Sequence, residues 1–220
     1  CAVIGAGRDL SSDSREIRQS TKQYLRECIK LASDVGAEVV AGPFYSTVGK
    51  RRFISLQEKQ AERNRAIEGL KEISAIAGDY GIKLAMEPLN RFENDMINTV
   101  SQGLEMIDKV DSPYLGFLLD TFHMNIEEKD TKAAILAAGE MVFHFHACEN
   151  DRGIPGTGQV DWEGVSEALN EINYKGACVI EAFTPKLTTL AAAVCLWRPL
   201  APDQNTLARD GLNFLKQKLG

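Results

Sequence analysis

The sequence predicts an α/β fold, a closed (β/α)8 barrel of the TIM type, on three observations. Short apolar runs recur along the chain, amphipathic helical stretches separate them, and no nucleotide-binding glycine loop follows any run. The runs are Cys1 to Gly5, Ala37 to Pro43, Ile82 to Pro88, Tyr114 to Asp120, Met141 to Ala147 and Ala177 to Phe183. They are continuous rather than alternating, as strands covered on both faces must be. Regular alternation of strand and helix implies parallel pairing, which leaves an open doubly wound sheet or a closed barrel. Neither G-x-G-x-x-G nor G-x-x-x-x-G-K-[ST] follows a strand, and that favours the barrel. Six strands stand where a barrel needs eight, so this reading puts the first two βα units ahead of residue 1. Residues 1–220 then form a single (β/α) barrel domain, incomplete at its amino terminus.

The helices follow from spacing and stop signals. Ser14 to Val35 carries Ile17, Tyr24, Leu25, Cys28, Ile29 and Leu31 at roughly helical intervals, and Gly36 ends it. Gln57 to Tyr80 repeats the pattern, with Ala66, Leu70, Ile73 and either Ile76 or Ala77 facing inward before Gly81. Thr99 has the residue type of an N-cap, with Leu104 and Ile107 as the buried positions of its helix and Asp111-Ser112-Pro113 as the stop. The last helix, Asn205 to Leu219, presents Leu207, Leu212 and Leu215.

Composition narrows the function. A chain of 220 residues, 44% of them apolar, can bury one sizeable core. The net charge of −6 and pI near 5.2 supply no basic face, which argues against a nucleic-acid partner. Five cysteines, scattered and without a C-x-x-C pair, do not make a disulfide framework and point to a reducing, cytoplasmic setting. No apolar run approaches the ~20 residues a membrane span needs.

The strongest chemical signal is a repeated position. Four apolar runs each end on a side chain able to bind a metal: Glu87, Asp120, His146 and Glu181, spaced 33, 26 and 35 residues apart, about one βα unit each. In a parallel barrel those carboxyl ends meet at one mouth, where active sites of this fold lie. One acidic residue at a strand tip is ordinarily a helix cap or a solvated turn residue. Four in succession beside buried strands would be costly to leave ionised and unpaired, which favours the metal site. Three carboxylates and an imidazole suit Mn²⁺ first, with Mg²⁺ or Co²⁺ as alternatives. Of the remaining histidines, His144 reads as a hydrogen-bonded core residue deeper in the barrel. His123 falls in the loop after Asp120, where substrate contact and a plain loop role weigh equally.

Longer motifs carry a resemblance. Glu87-Pro88-Leu89-Asn90-Arg91-Phe92-Glu93 with Ile97-Asn98-Thr99, then Leu119-Asp120-Thr121-Phe122-His123-Met124-Asn125, then His144-Phe145-His146 with Asn150-Asp151-Arg152 and Pro155-Gly156-Thr157-Gly158, then Ile180-Glu181-Ala182-Phe183 and Leu196-Trp197-Arg198 resemble the ketose 3-epimerases. This is the D-tagatose and D-psicose 3-epimerase family, whose members are sugar isomerases and epimerases built on TIM barrels. The resemblance implies a divalent metal held by Glu87, Asp120, His146 and Glu181, with Glu93, His123 and Arg152 as substrate contacts. It implies a homodimer or homotetramer, while the missing phosphate-binding glycine loop favours a free, unphosphorylated sugar. The segment Thr184 to Val194 departs from the Gly-rich loop expected after the last strand.

The reaction this implies is epimerisation of a ketose at C3 through a cis-enediolate. A hydrogen beside a ketone is weakly acidic, so its removal needs stabilisation of the enolate and a positioned base. Inversion needs a second group on the opposite face, and Glu87 and Glu181 are the catalytic candidates. Phe44, Tyr45 and Trp197 are candidate apolar walls of the sugar pocket, each weighed against an ordinary core role. An aldose-ketose isomerase or an inosose-type dehydratase could use the same four ligands and is the alternative reading.

Overall fold

Short apolar runs separated by long helical stretches oblige neighbouring strands to pair in parallel, and the computed structural model shows that pairing. It describes Gly5 and residues 7–220. The expected strand at Cys1 to Gly5 therefore lies almost wholly outside the described residues. The other five runs form β1 (Val39–Gly42), β2 (Lys83–Met86), β3 (Leu115–Asp120), β4 (Val142–His146) and β5 (Cys178–Val179), hydrogen-bonded in sequence order and all parallel. The fifth is much shorter than its apolar run, so Glu181 lies two residues beyond the strand rather than on its tip.

Helices cover one face of this sheet. α1 (Arg15–Asp34) starts at Ser14, whose side chain accepts the Ile17 N–H, and buries Thr21, Leu25, Ile29 and Ala32. Leu31, expected on that stripe, is 63% exposed, because two residues past Ile29 lies about 200° round a helix. α2 (Leu56–Asp79) opens with a Ser55–Glu58 capping box and buries Ala66, Leu70, Ile73 and Ala77, leaving Ile76 half-buried. α3 (Val100–Val110) is capped by Thr99, as its residue type suggests, and ends at Asp111 in a left-handed conformation. Then come α4 (Thr121–Glu127), α5 (Thr131–Ala138), α6 (Trp162–Glu171), α7 (Thr188–Ala193) and α8 (Gln204–Lys218). In α8, Leu207 and Leu215 are buried, whereas Leu212 is 49% exposed and Gly211 takes the inner position. No helix of the described residues is long and apolar enough to cross a membrane.

The two sheet faces differ, and the difference positions the chemistry. Leu84 and Met86, Phe117 and Leu119, and Phe145 face the helices within a core cluster that reaches from Leu10 to Leu215. Ala41, Ala85 and Leu118 form a separate small cluster on the other face. Alternation along each strand puts Glu87 on the Ala85 side and Asp120 on the Leu118 side. Asp120 pairs with His146 in register, and the Glu87 N–H donates to the Gly42 carbonyl. The inner face thus ends in polar side chains at the carboxyl edge of the sheet.

Close approach of helix and sheet makes one glycine informative. A Cβ on Gly103 of α3 would lie 2.3 Å from the ring of Phe117, which is fully buried. Helix propensity alone favours alanine over glycine by about 1 kcal/mol. Overpacking against a rigid ring costs typically ~1–3 kcal/mol. Gly103→Ala is therefore expected to be destabilising in urea denaturation; a gain in stability would mean that α3 can retreat from the sheet.

Candidate metal centre

Four chain segments deliver one donor group each to the carboxyl edge of the inner face. Glu87 follows β2, Asp120 ends β3, His146 ends β4 and Glu181 follows β5. One ligand atom from each lies within 4.8 Å of all the others. His146 Nδ1 points into the middle of the group, 3.7 Å from Asp120 Oδ2, 3.7 Å from Glu181 Oε2 and 4.0 Å from Glu87 Oε1. These separations are too long for hydrogen bonds, and Nδ1 is a buried polar atom without a partner. An imidazole nitrogen aimed at three carboxylate oxygens, and bonded to none, fits a cation between them. The hard, oxygen-rich donor set suits a divalent ion.

Crowded carboxylates show in the acid–base properties. Glu87 is pushed up to about 8, first by burial and then by the Asp120 and Glu181 carboxylates. Burial also acts to raise Asp120, but the Arg152 guanidinium and the neighbouring imidazoles outweigh it and hold the carboxyl well below the usual range. Burial opposes the charging of His146, yet the surrounding carboxylates, Asp120 foremost, raise it. Arg152 Nη1 donates to Asp120 Oδ2 at 2.6 Å and reaches Glu181 Oε2 at 2.7 Å. Its guanidinium also lies over the Phe122 ring, 4.2 Å from the centroid. Asp120 serves two neighbours at once, since its Oδ1 accepts the Phe122 N–H at the start of α4.

His123 lies in the helix α4, not in a loop as its position after Asp120 suggests, and is 3% exposed. The Asn90 backbone N–H donates to its Nδ1 at 3.1 Å, and the Asn90 side-chain amide stands 2.9 Å from the same atom. Burial lowers His123 to about 3, so the ring is neutral and its proton sits on Nε2. Nε2 approaches Glu87 Oε1 at 3.7 Å and Arg152 Nη2 at 3.3 Å. Two N–H donors therefore stand side by side at the edge of the centre. Asn90 Nδ2 also donates to Glu93 Oε1 at 2.9 Å, and burial raises the Glu93 carboxyl.

A cavity of about 380 Å³ opens above the group. Glu87, Glu93, His123, Arg152 and Glu181 line one side, while Asp120 and His146 do not reach it. Phe122, Phe183, Leu190, Val194 and Trp197 supply apolar surface. Trp197 thus borders the cavity as expected, but Phe44 and Tyr45 are fully buried in the core, with the Tyr45 hydroxyl donating to the Ile97 carbonyl. They pack in the large core cluster on the helix side of the sheet. His144, expected to be hydrogen-bonded in the core, is half-buried and packs edge-on to His146 with ring centroids 5.2 Å apart. Thr184 to Val194 contains the short helix α7, which brings Leu190 over the cavity. Asn90 stands in the Glu87 to Glu93 motif, but its residue type alone does not mark it as the partner of His123 and Glu93.

Residues 1–218 match the model of the xylose isomerase-like TIM barrel family. The chain belongs to that family. It is 41% identical over 217 residues to a probable ketose 3-epimerase of Synechocystis sp., covering 99% of this chain and 75% of that protein. A solved L-ribulose 3-epimerase superposes with a TM-score of 0.93 at 31% identity, over 99% of this chain and 73% of that one. The D-allulose 3-epimerase of Methylomonas sp. in complex with D-allulose gives a TM-score of 0.91 at 32% identity, over 98% and 75%. The family's barrel architecture accounts for the parallel order and for the placement of the donors at the carboxyl ends of the strands.

The raised Glu87 carboxyl has a measurable sign. Its value in the folded state lies above the ordinary 4.5, so between pH 4.5 and about 8 the native protein holds a proton that the unfolded chain has lost. Stability of metal-free protein should therefore fall as pH rises through that window. Glu87→Gln removes the titrating group, and urea titrations in chelator at pH 5 and pH 8 should show a smaller loss for the variant. An equal loss in both proteins would mean that Glu87 is not the buried acid.

Proposed function

We propose that this chain is a metal-dependent epimerase acting on a free ketose at C3, with Glu87, Asp120, His146 and Glu181 as the metal ligands. The observation that carries the reading is the unpartnered His146 Nδ1 facing three carboxylates, two of which, Glu87 and Glu181, line a cavity. The ketose 3-epimerase relatives support it. Mn²⁺ is the preferred ion on the donor set, with Mg²⁺ or Co²⁺ as alternatives. When bound, the ion would supply positive charge to stabilise the negative charge that develops on the substrate oxygens.

The protein's own groups do the rest. Glu87 and Glu181 are the two ligands that border the cavity, so they are the carboxylates placed to reach a substrate carbon. One removes the proton from C3, leaving the planar cis-enediolate, and the other returns a proton to the opposite face. They follow β2 and β5, the outer two of the four donor-bearing strands, and the reading requires a substrate to lie with C3 between them. His123 Nε2–H and the Arg152 guanidinium stand 3.3 Å apart, and a sugar oxygen between them would accept from both. Glu93, held by Asn90, accepts from a sugar hydroxyl. The apolar side of the cavity, with Phe122, Phe183 and Leu190, excludes water from the reacting end.

Incubating metal-loaded protein with D-allulose, D-tagatose, D-fructose and L-ribulose in D₂O tests the reaction class. NMR should show deuterium at C3 and the C3 epimer as product; deuterium entering at C1 with an aldose product would instead identify an aldose-ketose isomerase. General acid–base groups contribute typically ~10²–10⁴ in rate, so Glu181→Gln should lower kcat by that order. Normal exchange at C3 in both directions by that variant would refute the two-carboxylate scheme. Chelation should abolish turnover, and added Mn²⁺ should restore it.

A further inference from the structure

Arg152 is held in a conformation that its own side chain does not favour. Its φ is 66°, in the left-handed region that residues other than glycine seldom occupy. Three residues earlier stands a buried carboxylate. Glu149 is completely buried, yet no lysine or arginine is among its bonding partners: it accepts four hydrogen bonds, all from neutral N–H groups. Oε1 takes the backbone N–H of Asn150 at 3.1 Å and of Val160 at 3.0 Å. Oε2 takes the backbone N–H of Gly156 at 2.8 Å and the indole Nε1–H of Trp162 at 3.0 Å. Burial would raise this carboxyl, but the four donors hold it below its ordinary value.

These partners span the segment that carries Arg152. Trp162 begins α6, is buried, and meets Phe214 of α8 edge-on with centroids 5.5 Å apart, so one end is fixed to the helical frame. The Glu149 carbonyl accepts the Arg152 N–H at 2.9 Å, which closes the turn at the other end. Asn150 Oδ1 accepts the Gln159 N–H at 2.9 Å and ties the two arms together. We propose that Glu149 is a positioning residue for Arg152: its carboxylate folds residues 150–162 so that the guanidinium is aimed at Asp120, Glu181 and the cavity. The importance of that aim rests on the sugar-contact reading of Arg152, whereas the aim itself is a property of the fold.

Two changes break the arrangement differently. Glutamine at 149 offers one oxygen for four donors and turns its own NH₂ toward two of them, so Glu149→Gln is not conservative here. A Cβ at Gly158 would lie 2.2 Å from Asn150 Oδ1 and 2.7 Å from Glu149 Cγ, so Gly158→Ala displaces the carboxylate while keeping its charge. The experiment compares wild type, Glu149→Gln, Gly158→Ala, Arg152→Ala and Glu149→Gln with Arg152→Ala. KM and kcat are measured for D-allulose on Mn²⁺-loaded protein, and the Arg152 guanidinium resonance is followed by ¹⁵N NMR on protein loaded with diamagnetic Mg²⁺, assigned by its loss in Arg152→Ala.

Arg152→Ala is expected to raise KM at least tenfold, and each positioning variant to raise it severalfold and to shift or broaden the Arg152 resonance. The double variant should be within about twofold of Arg152→Ala alone, because a positioning residue has nothing left to position. Multiplying effects in the double variant, or an unmoved Arg152 resonance in either positioning variant, would overturn the proposal. If Glu149→Gln does not fold, Gly158→Ala with its resonance decides. If wild type turns over no ketose, the functional reading fails and the resonance alone judges the positioning.

Discussion

Like-charge repulsion among Glu87, Asp120 and Glu181 is the constraint to which the rest of the site answers. Adjacent strands in a sheet stand ~4.7–4.9 Å apart. Neighbouring tips that all carry donors on the inner face therefore bring those donors together, and here they meet within 4.8 Å. Two unit charges 4 Å apart repel by about 1 kcal/mol in water and about 4 kcal/mol in the partly screened environment near a protein surface. Three such groups beside buried strands cannot all remain bare anions. The protein relieves the strain by keeping a proton on Glu87, drawing His146 toward its charged form, and laying Arg152 across Asp120 and Glu181. A divalent ion would offset the same repulsion, which makes the protonated group and the metal-bearing group alternative solutions to one electrostatic problem.

Asp120 is the point where fold and site are joined. Its Oδ1 caps α4 and its Oδ2 faces Arg152 and His146. The positive end of the α4 dipole and the guanidinium both favour the ionised form, so Asp120 remains an anion where Glu87 does not. Capping fixes the start of α4, and α4 carries His123 to the cavity with Nδ1 facing Asn90. The orientation of one carboxylate thus determines where a neutral imidazole presents its N–H. Two chain segments far apart in sequence, 87–93 and 149–162, are brought to the same few ångströms by this arrangement.

Much of this was legible in the amino-acid order, for identifiable reasons. Continuous apolar runs report burial on both faces, so all five described strands could be located and the face carrying Glu87 and Asp120 follows from alternation. Capping and ligation are rival roles for an acidic strand tip, and Asp120 caps α4 while facing the candidate centre. What escaped were features set by contacts rather than by period. The last strand stops at Val179 although the apolar run continues to Phe183, because only Cys178 and Val179 find partners in β4. His123 looks like a loop residue until Asp120 is seen to start a helix. Phe44 and Tyr45 are equally apolar on either side of the sheet, and composition does not say which. Asn90 and Glu149 act on backbone N–H groups, and a sequence does not reveal where those groups will point.

The four donors divide into two kinds, and the division bears on how a ligand could also carry protons. Asp120 and His146 are enclosed, with their polar atoms turned to the centre, to Arg152 and to the α4 terminus. Glu87 and Glu181 border both the centre and the cavity. A carboxylate has two oxygens, so a group at such a boundary can direct one to a cation and leave the other beside a substrate carbon. Enclosed donors have no such freedom. Burial therefore does more than strengthen the electrostatics: by admitting only two of the four donors to the cavity, it selects which carboxylates the proposed proton transfers can use.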